Sequence, residues 1–440
     1  MQKIKPSPRQ KFFAALFLFA LIFSSAALYA EDLSYDRYAA LPAPAESPST
    51  GKKIAAEILT YPFELLRWPM DQGLRATEKY RLDTKGFYLY RKMQDYGFTP
   101  HLNLAAPGGE IDWLNLSRQK VNFPDLVAKS WLDYSYNSIF ETGSKVGIER
   151  IAGTGLRAYQ IFDYSYRHRE HFYGIGPNSS KGDGASFKQE KTLLETVFGY
   201  SADPSLSIDS KFAFQNVNIS GGRDGGRGHI ESTFNNQTID GLNGDRLITL
   251  GLEVLRDTRN QQDNSTKGGK ARMGLSYNEG LGNSDARYFN YQAEATHYFR
   301  LGSDRRVFFA RLFGEYNNEA RGHSVPFYQM ARLGGYGTYP DLSRTFRAYD
   351  TNRFFGEGAV LGNFEYRYTI YEYRDFKMDA VVFLDEGQVF RDLGKFKFSD
   401  FRESYGGGFR FSLLNHVLLS VEAAHGDEGT IFYVRTHSPF

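Results

Sequence analysis

The chain has 440 residues, 53 basic against 51 acidic, no cysteine, and an aromatic content of 16% carried by 37 Phe, 30 Tyr and 3 Trp. Zero cysteine excludes disulfide frameworks, cysteine zinc sites, iron–sulfur clusters and thiol nucleophiles. With 24% charged residues and one long apolar run, near the start, a helical multi-span membrane protein is excluded too.

Residues 1–30 read as a secretory signal peptide. Lys3, Lys5, Arg9 and Lys11 form a basic start, Phe12 to Phe23 is apolar, and Ser24 to Ala30 is rich in small residues. Cleavage after Ala27 or Ala30 takes the formal charge from +2 to about −2, which leaves no basic footprint for nucleic acid. Residues 31–53 (with LPAPAESPST) read as a flexible periplasmic linker. Residues 54–96 read as a short amphipathic helical segment, with Leu59, Phe63, Leu66, Met70 and Leu74 at helical spacing and Pro62 and Pro69 breaking the run.

From residue 97 to 440 the period is two. In Tyr288 to Phe299 the set Phe289, Tyr291, Ala293, Ala295 and Phe299 alternates with Asn290, Gln292, Glu294 and Thr296. Alternation alone does not separate a soluble sandwich from a membrane barrel. Strand length and loop order do. Sixteen strands are predicted, near 97–105, 110–117, 126–137, 140–152, 157–168, 190–202, 205–219, 246–257, 269–280, 287–299, 305–317, 358–370, 376–389, 403–413, 416–425 and 429–438. Most reach the length of a tilted membrane-spanning strand rather than that of an ordinary one. The long connections, near 169–189, 220–245, 318–357 and 390–402, all follow odd-numbered strands. The reading is all-β: a transmembrane antiparallel β-barrel with both termini at the short-loop, periplasmic end.

Sites of chemistry are absent from the pattern. Gly199-Tyr200-Ser201-Ala202-Asp203 lacks the second glycine of a nucleophile elbow, and no H-E-x-x-H occurs. His168 and His171 lie at a strand end, where their spacing does not converge two rings on one metal. Gly221 to Gly228 has no Gly-Lys-Ser/Thr after it and reads as an external loop. Ser420 and His416 share a face, but the inward one. No enzyme activity, metal or cofactor is expected.

Several segments together carry a resemblance. Phe346-Arg347-Ala348-Tyr349 with Arg353-Phe354, Asn363-Phe364-Glu365-Tyr366-Arg367, Phe383-Leu384-Asp385-Glu386-Gly387-Gln388-Val389 and Tyr405-Gly406-Gly407-Gly408 occur in order. Upstream stand Phe172-Tyr173-Gly174-Ile175-Gly176 and Asp257-Thr258-Arg259 with Gly268. In order and spacing these resemble the BamA/TamA superfamily, the bacterial surface antigen family, over about residues 97–440. The first is similar to that family's loop-six motif, with Ala348 where the motif has glycine, and Asp257, Arg259 and Gly268 to its periplasmic turn. Glu31 to Gly97 leaves no room for the POTRA domains that the resemblance otherwise implies.

Alternation places Asp385 and Glu365 on the inward face, and an arginine in the long loop just before them can fold inside and meet both. The resemblance implies the same lock, loop six held in the lumen by Arg347 on Asp385 and Glu365. The alternative is three solvated charges in a wet pore. Phe440 is expected on one face with Phe432 and Val434, and a terminal Phe resembles the targeting signal read by the outer-membrane assembly machinery. The expected partners are outer-membrane lipid, that machinery during biogenesis and a polypeptide client, with no nucleic acid. Three functions stay open: insertion or translocation of protein or lipid at the bacterial outer membrane, which the resemblance implies, a passive pore or transporter, and a structural surface protein.

Overall fold

The structure, a computed structural model, describes residues 98–101, 108–115, 125–135, 139–222, 226–234, 239–261, 264–336, 344–373, 376–413, 416–435 and 440. The expected signal peptide, linker and helical segment lie outside the described residues. In chain order the strands are β1 (Phe98–His101), β2 (Gly108–Asn115), β3 (Leu126–Ser135), β4 (Ile139–Ile148), β5 (Leu156–Phe172), β6 (Ala185–Asp203), β7 (Leu206–Gly221), β8 (Arg246–Asp257) and β9 (Gly268–Leu281). They continue as β10 (Arg287–Arg300), β11 (Arg306–Glu319), β12 (Ala331–Leu333), β13 (Phe354–Gly356), β14 (Gly358–Tyr373), β15 (Phe376–Phe390), β16 (Arg402–Leu413), β17 (His416–Gly426) and β18 (Gly429–Arg435).

Sixteen of these form one antiparallel sheet in which each strand pairs with its neighbours in sequence, from β1 to β18. The interruption falls between β11 and β14, which pair directly while β12 and β13 form a separate two-stranded ladder in the connection between them. This is the architecture of a transmembrane antiparallel β-barrel. Among the described residues no helix is long and apolar enough to cross a membrane.

Register explains why two opposite chemistries coexist on each strand. Residues directly opposite in an antiparallel ladder share a face, so Asn363, Asp385 and Ser404 form one inward row. Their side chains are all fully buried. The outward parity holds large exposed apolar residues instead, among them Leu250, Met273, Leu312, Val382 and Phe432. Lipid is the solvent that this face fits.

The strands differ from their expected limits chiefly at the long-loop end. β5 and β6 run on to Phe172 and from Ala185, so the connection expected at 169–189 is shortened at both ends to residues 173–184. A bulge between Arg167 and Glu170 breaks the alternation there, while hydrogen bonding continues beyond it. Besides a small group of Tyr298, Val307 and Phe309, two larger apolar clusters form among the described residues. One, at the long-loop end, joins Phe172, Phe187, Ile219, Tyr288, Phe327 and Phe355. The other lies inside β11 and β14–β18 and is built on Leu333, Tyr336, Phe346, Tyr349, Phe383 and Tyr433.

Candidate functional site

The β11–β14 connection is the sixth loop of the long-loop end, and it returns into the interior. Gly334 and Gly335 turn it, at φ of 137° and 84°. A Cβ at Gly334 would stand 2.3 Å from the carbonyl oxygen of Asp350, so only glycine fits. Two main-chain bonds then clasp the next segment: Phe346 N–H donates to Gly335 O at 2.8 Å, and Gly335 N–H to Tyr349 O at 2.9 Å. Residues 346–349 are thereby held as a short hairpin whose tip carries Arg347.

Arg347 has 0% exposure and meets two adjacent strands. Its Nη2 donates to Asp385 Oδ1 at 2.6 Å, its Nε to Asp385 Oδ2 at 2.9 Å, and its own main-chain N–H to Oδ2 at 3.2 Å. Its Nη1 donates to Glu365 Oε2 at 3.1 Å. The guanidinium carbon stands 3.4 Å from the centre of the Phe383 ring. Burial alone would lower the guanidinium pKa, but Asp385, then Glu422 and Glu365, outweigh it and raise it. The charge is therefore held on, and the bidentate geometry fixes its direction.

Sequence reasoning missed the other half of this network. Arg410, on β16, bonds Glu365 through Nη1 and Nη2 at 2.6 and 2.7 Å and reaches Glu422, on β17, through Nε at 2.8 Å. Glu422 also accepts from Arg347 Nη1 at 3.4 Å, from Ser420 at 2.7 Å and from Tyr336 of the same loop at 3.1 Å. Parity on β16 and β17 would have placed both charges inward. Their pairing was hidden because a bulge at Phe411 and Ser412 resets the register between those strands. Asn363 completes the site by donating to Asp385 and to the loop carbonyl of Thr345. Two arginines thus meet three carboxylates, all at 3% exposure or less.

The loop also grips the last strand. Tyr433 of β18 donates its hydroxyl to the carbonyl oxygen of Arg347, and its ring packs 4.9 Å from that of Tyr336. The rings of Phe346 and Tyr349 meet at a tilt, 4.4 Å apart. Ala348 occupies the motif's glycine position at ordinary backbone angles, since among the described non-glycine residues only Ala152 and Asn352 have positive φ. Its N–H bonds Ser404 at 2.9 Å, and Gly426 leaves room for its methyl group.

The other expected residues fall as follows. Arg259 folds back on Asp257 with bonds of 2.7 to 3.2 Å, and Gly268, at φ 86°, closes the β8–β9 turn. That turn reaches further than expected: Ser265 accepts from Arg367 of β14, and Asn264 donates to Ser412 of β16. Gly176 and Ile175 dock on Phe355, joining the upstream glycine segment to the end of loop six. Phe440 requires a correction. It does not follow Phe432 outward. Its ring stacks on inward Phe309 at 4.6 Å, within 5.4 Å of the Arg347 guanidinium. Residue 440 stands apart from the described part of β18, which reaches Arg435, so the parity of that strand is not carried on to it. Among the described residues no group of His, Asp and Glu is arranged to hold a metal ion.

Comparison with known proteins gives a family and a fold. Residues 134–413 match the Omp85 superfamily domain. Among solved structures, the chain is similar to BamA from Haemophilus ducreyi lacking POTRA domains 1-3, at TM-score 0.53 and 15% identity, covering 75% of this chain and 65% of that one. It is also similar to CdiB from Acinetobacter baumannii (TM-score 0.45, 11% identity, 77% and 58% covered) and to CdiB from Escherichia coli (0.48, 10%, 75% and 58%). The chain thus spans less than two thirds of each of these proteins. No curated protein matches its sequence.

Proposed function

The chain belongs to the Omp85 superfamily, and from that premise we propose that it is a bacterial outer-membrane barrel that inserts or passes protein or lipid, with loop six as the element that holds it shut. One observation carries this reading. The hairpin bearing Arg347 bonds β14 and β15 through its side chain, β17 through Glu422, and β18 through the Tyr433 hydroxyl. A single loop therefore holds both the lumen and the final strand, where a barrel sheet must separate if it is to release anything sideways into lipid. Outer-membrane lipid and a polypeptide client are the partners this implies, with the outer-membrane assembly machinery acting during its own biogenesis.

The test pairs two measurements. Depleting the protein should lower the folded amounts of other outer-membrane proteins or of outer-leaflet lipid. The purified barrel in a planar bilayer should show small, intermittent conductance that rises when Arg347 is replaced. Unchanged outer-membrane composition together with a large, steady conductance in the unmodified protein would replace this reading by a passive pore.

A further inference from the structure

The connection from β15 to β16, residues 391–401, folds against the outside of the sheet. Inward positions on β15 are odd-numbered, as Asp385 and its register show. Gln388 and Phe390 therefore point outward, yet they are 3% and 4% exposed. Residues of the connection cover them. Gln388 Nε2 donates to Lys397 O at 2.9 Å, and the Phe396 ring meets Phe390 edge-on at 5.6 Å. Phe390 in turn lies across Gly358, where a Cβ would come within 2.1 Å of its ring, and stacks near Tyr316 of β11 at 6.1 Å. Tyr316 is directly opposite Tyr291 of β10, another outward aromatic. The connection thus continues an outward aromatic belt that spans β10 to β15.

What it adds to that belt is exposed. Phe398 is 83% exposed and Leu393 60%, although both belong to a compact unit in which Phe396, Phe398 and Phe401 pack at 5.2 to 6.2 Å. Lys395 and Lys397 alternate with these rings and are also exposed. Lys395 pairs with Asp392 at 3.2 Å. Exposed apolar side chains with ammonium groups one or two residues away are the composition that suits the interface between acyl chains and phosphates.

We propose that residues 393–401 form a foot that seats Phe398 and Leu393 in the leaflet at the long-loop end, with Lys395 and Lys397 on the phosphates of anionic lipid there. The occupant is lipid rather than a protein because the foot is continuous with the lipid-facing belt and its cations stand beside its exposed rings. The inference rests on the barrel architecture and not on the insertase reading.

The absence of cysteine makes the test direct. Full-length Phe398→Cys and Leu393→Cys would each carry one thiol for an environment-sensitive fluorophore. The proteins would be reconstituted in vesicles of phosphatidylcholine, with and without phosphatidylglycerol, after a gel-mobility check that the barrel is folded. Both probes should be quenched severalfold more by headgroup-labelled nitroxide lipid than by aqueous iodide. Phosphatidylglycerol should deepen that quenching, and Lys395→Gln with Lys397→Gln should abolish the increment. Probes on a folded barrel that iodide reaches as freely as it reaches a fluorophore at Ser303→Cys, in the exposed β10–β11 turn, would overturn the foot. Lipid quenching that ignores both phosphatidylglycerol and the lysines would overturn the phosphate contact.

Discussion

The hydroxyl of Tyr433, on the last strand, donates to the main-chain carbonyl of Arg347, at the tip of the loop that fills the interior. The bond ties the loop's position to that of β18 without using any charge of the network beside it. Tyr433→Phe keeps the ring against Tyr336 and leaves a buried carbonyl without its donor. It should cost about 1–3 kcal/mol, read as a lower urea midpoint of the folded barrel in detergent. It should also raise the frequency of conductance openings. Equal midpoints and equal openings would mean that loop and strand move independently.

Replacing Arg347 by Met should cost about 3–5 kcal/mol, because Asp385 and Glu365 would lose a cation while staying buried. Asp385→Asn alone should also be costly. The double variant should cost less than the sum by about 0.5–3 kcal/mol, since each change removes the same interaction. Strict additivity in the unfolding midpoints would show that the two side chains are neighbours without being coupled.

Ala348 and Gly426 form a size-matched pair. A Cβ at Gly426 would stand 2.8 Å from that of Ala348 and 2.9 Å from the carbonyl of Glu403. Gly426→Ala should therefore destabilise the barrel by about 1–3 kcal/mol through overpacking. Adding Ala348→Gly should recover part of the loss, leaving the clash with Glu403. A double variant less stable than Gly426→Ala would show that the methyl at 348 is needed for some reason other than fit.

The rim should respond to pH. Glu357, between β13 and β14, is pushed up to about 7, first by burial and then by Glu319 and Asp392, against Lys395 and Arg391. A carboxyl raised above its ordinary 4.5 holds its proton more tightly when folded. Its contribution to stability therefore falls as pH rises through the window from 4.5 to about 7. Glu357→Gln should remove that part of the pH dependence in urea midpoints taken at pH 5 and pH 8. Parallel profiles for the two proteins would assign the dependence to other groups.

Most of the sheet strands were legible because lipid on one side and water or charge on the other force a strict alternation, which in β3–β11 and β14–β17 survives over ten or more residues. β12 and β13 left no such trace: three residues each, inside the molecule, have no period to read. The upper parts of β5 and β6 were read as loop for a related reason. Beyond the lipid their backbone bonds persist while the side chains obey no rule. Arg347, Asp385 and Glu365 could be singled out because motif and parity agreed on them. Arg410 and Glu422 needed the register across a bulge, which is set by pairing rather than by composition, and Tyr433 needed the path of loop six, which strand parity does not give.

Asp385, Glu365 and Glu422 are anchored to wall strands, whereas Arg347 arrives on a loop. If the loop departs, the wall keeps three acids, of which Glu365 and Glu422 are bonded to a single guanidinium, that of Arg410, with Arg367 of β14 acting on Glu365 from further off. The vacated place is a mould for a cation on an extended backbone. Any visiting chain that carries an arginine must then outbid a tethered rival whose effective concentration is set by the length of loop six. Under the proposed function the lock would act as an internal competitor, and the affinity a visitor needs would be set by the loop it displaces.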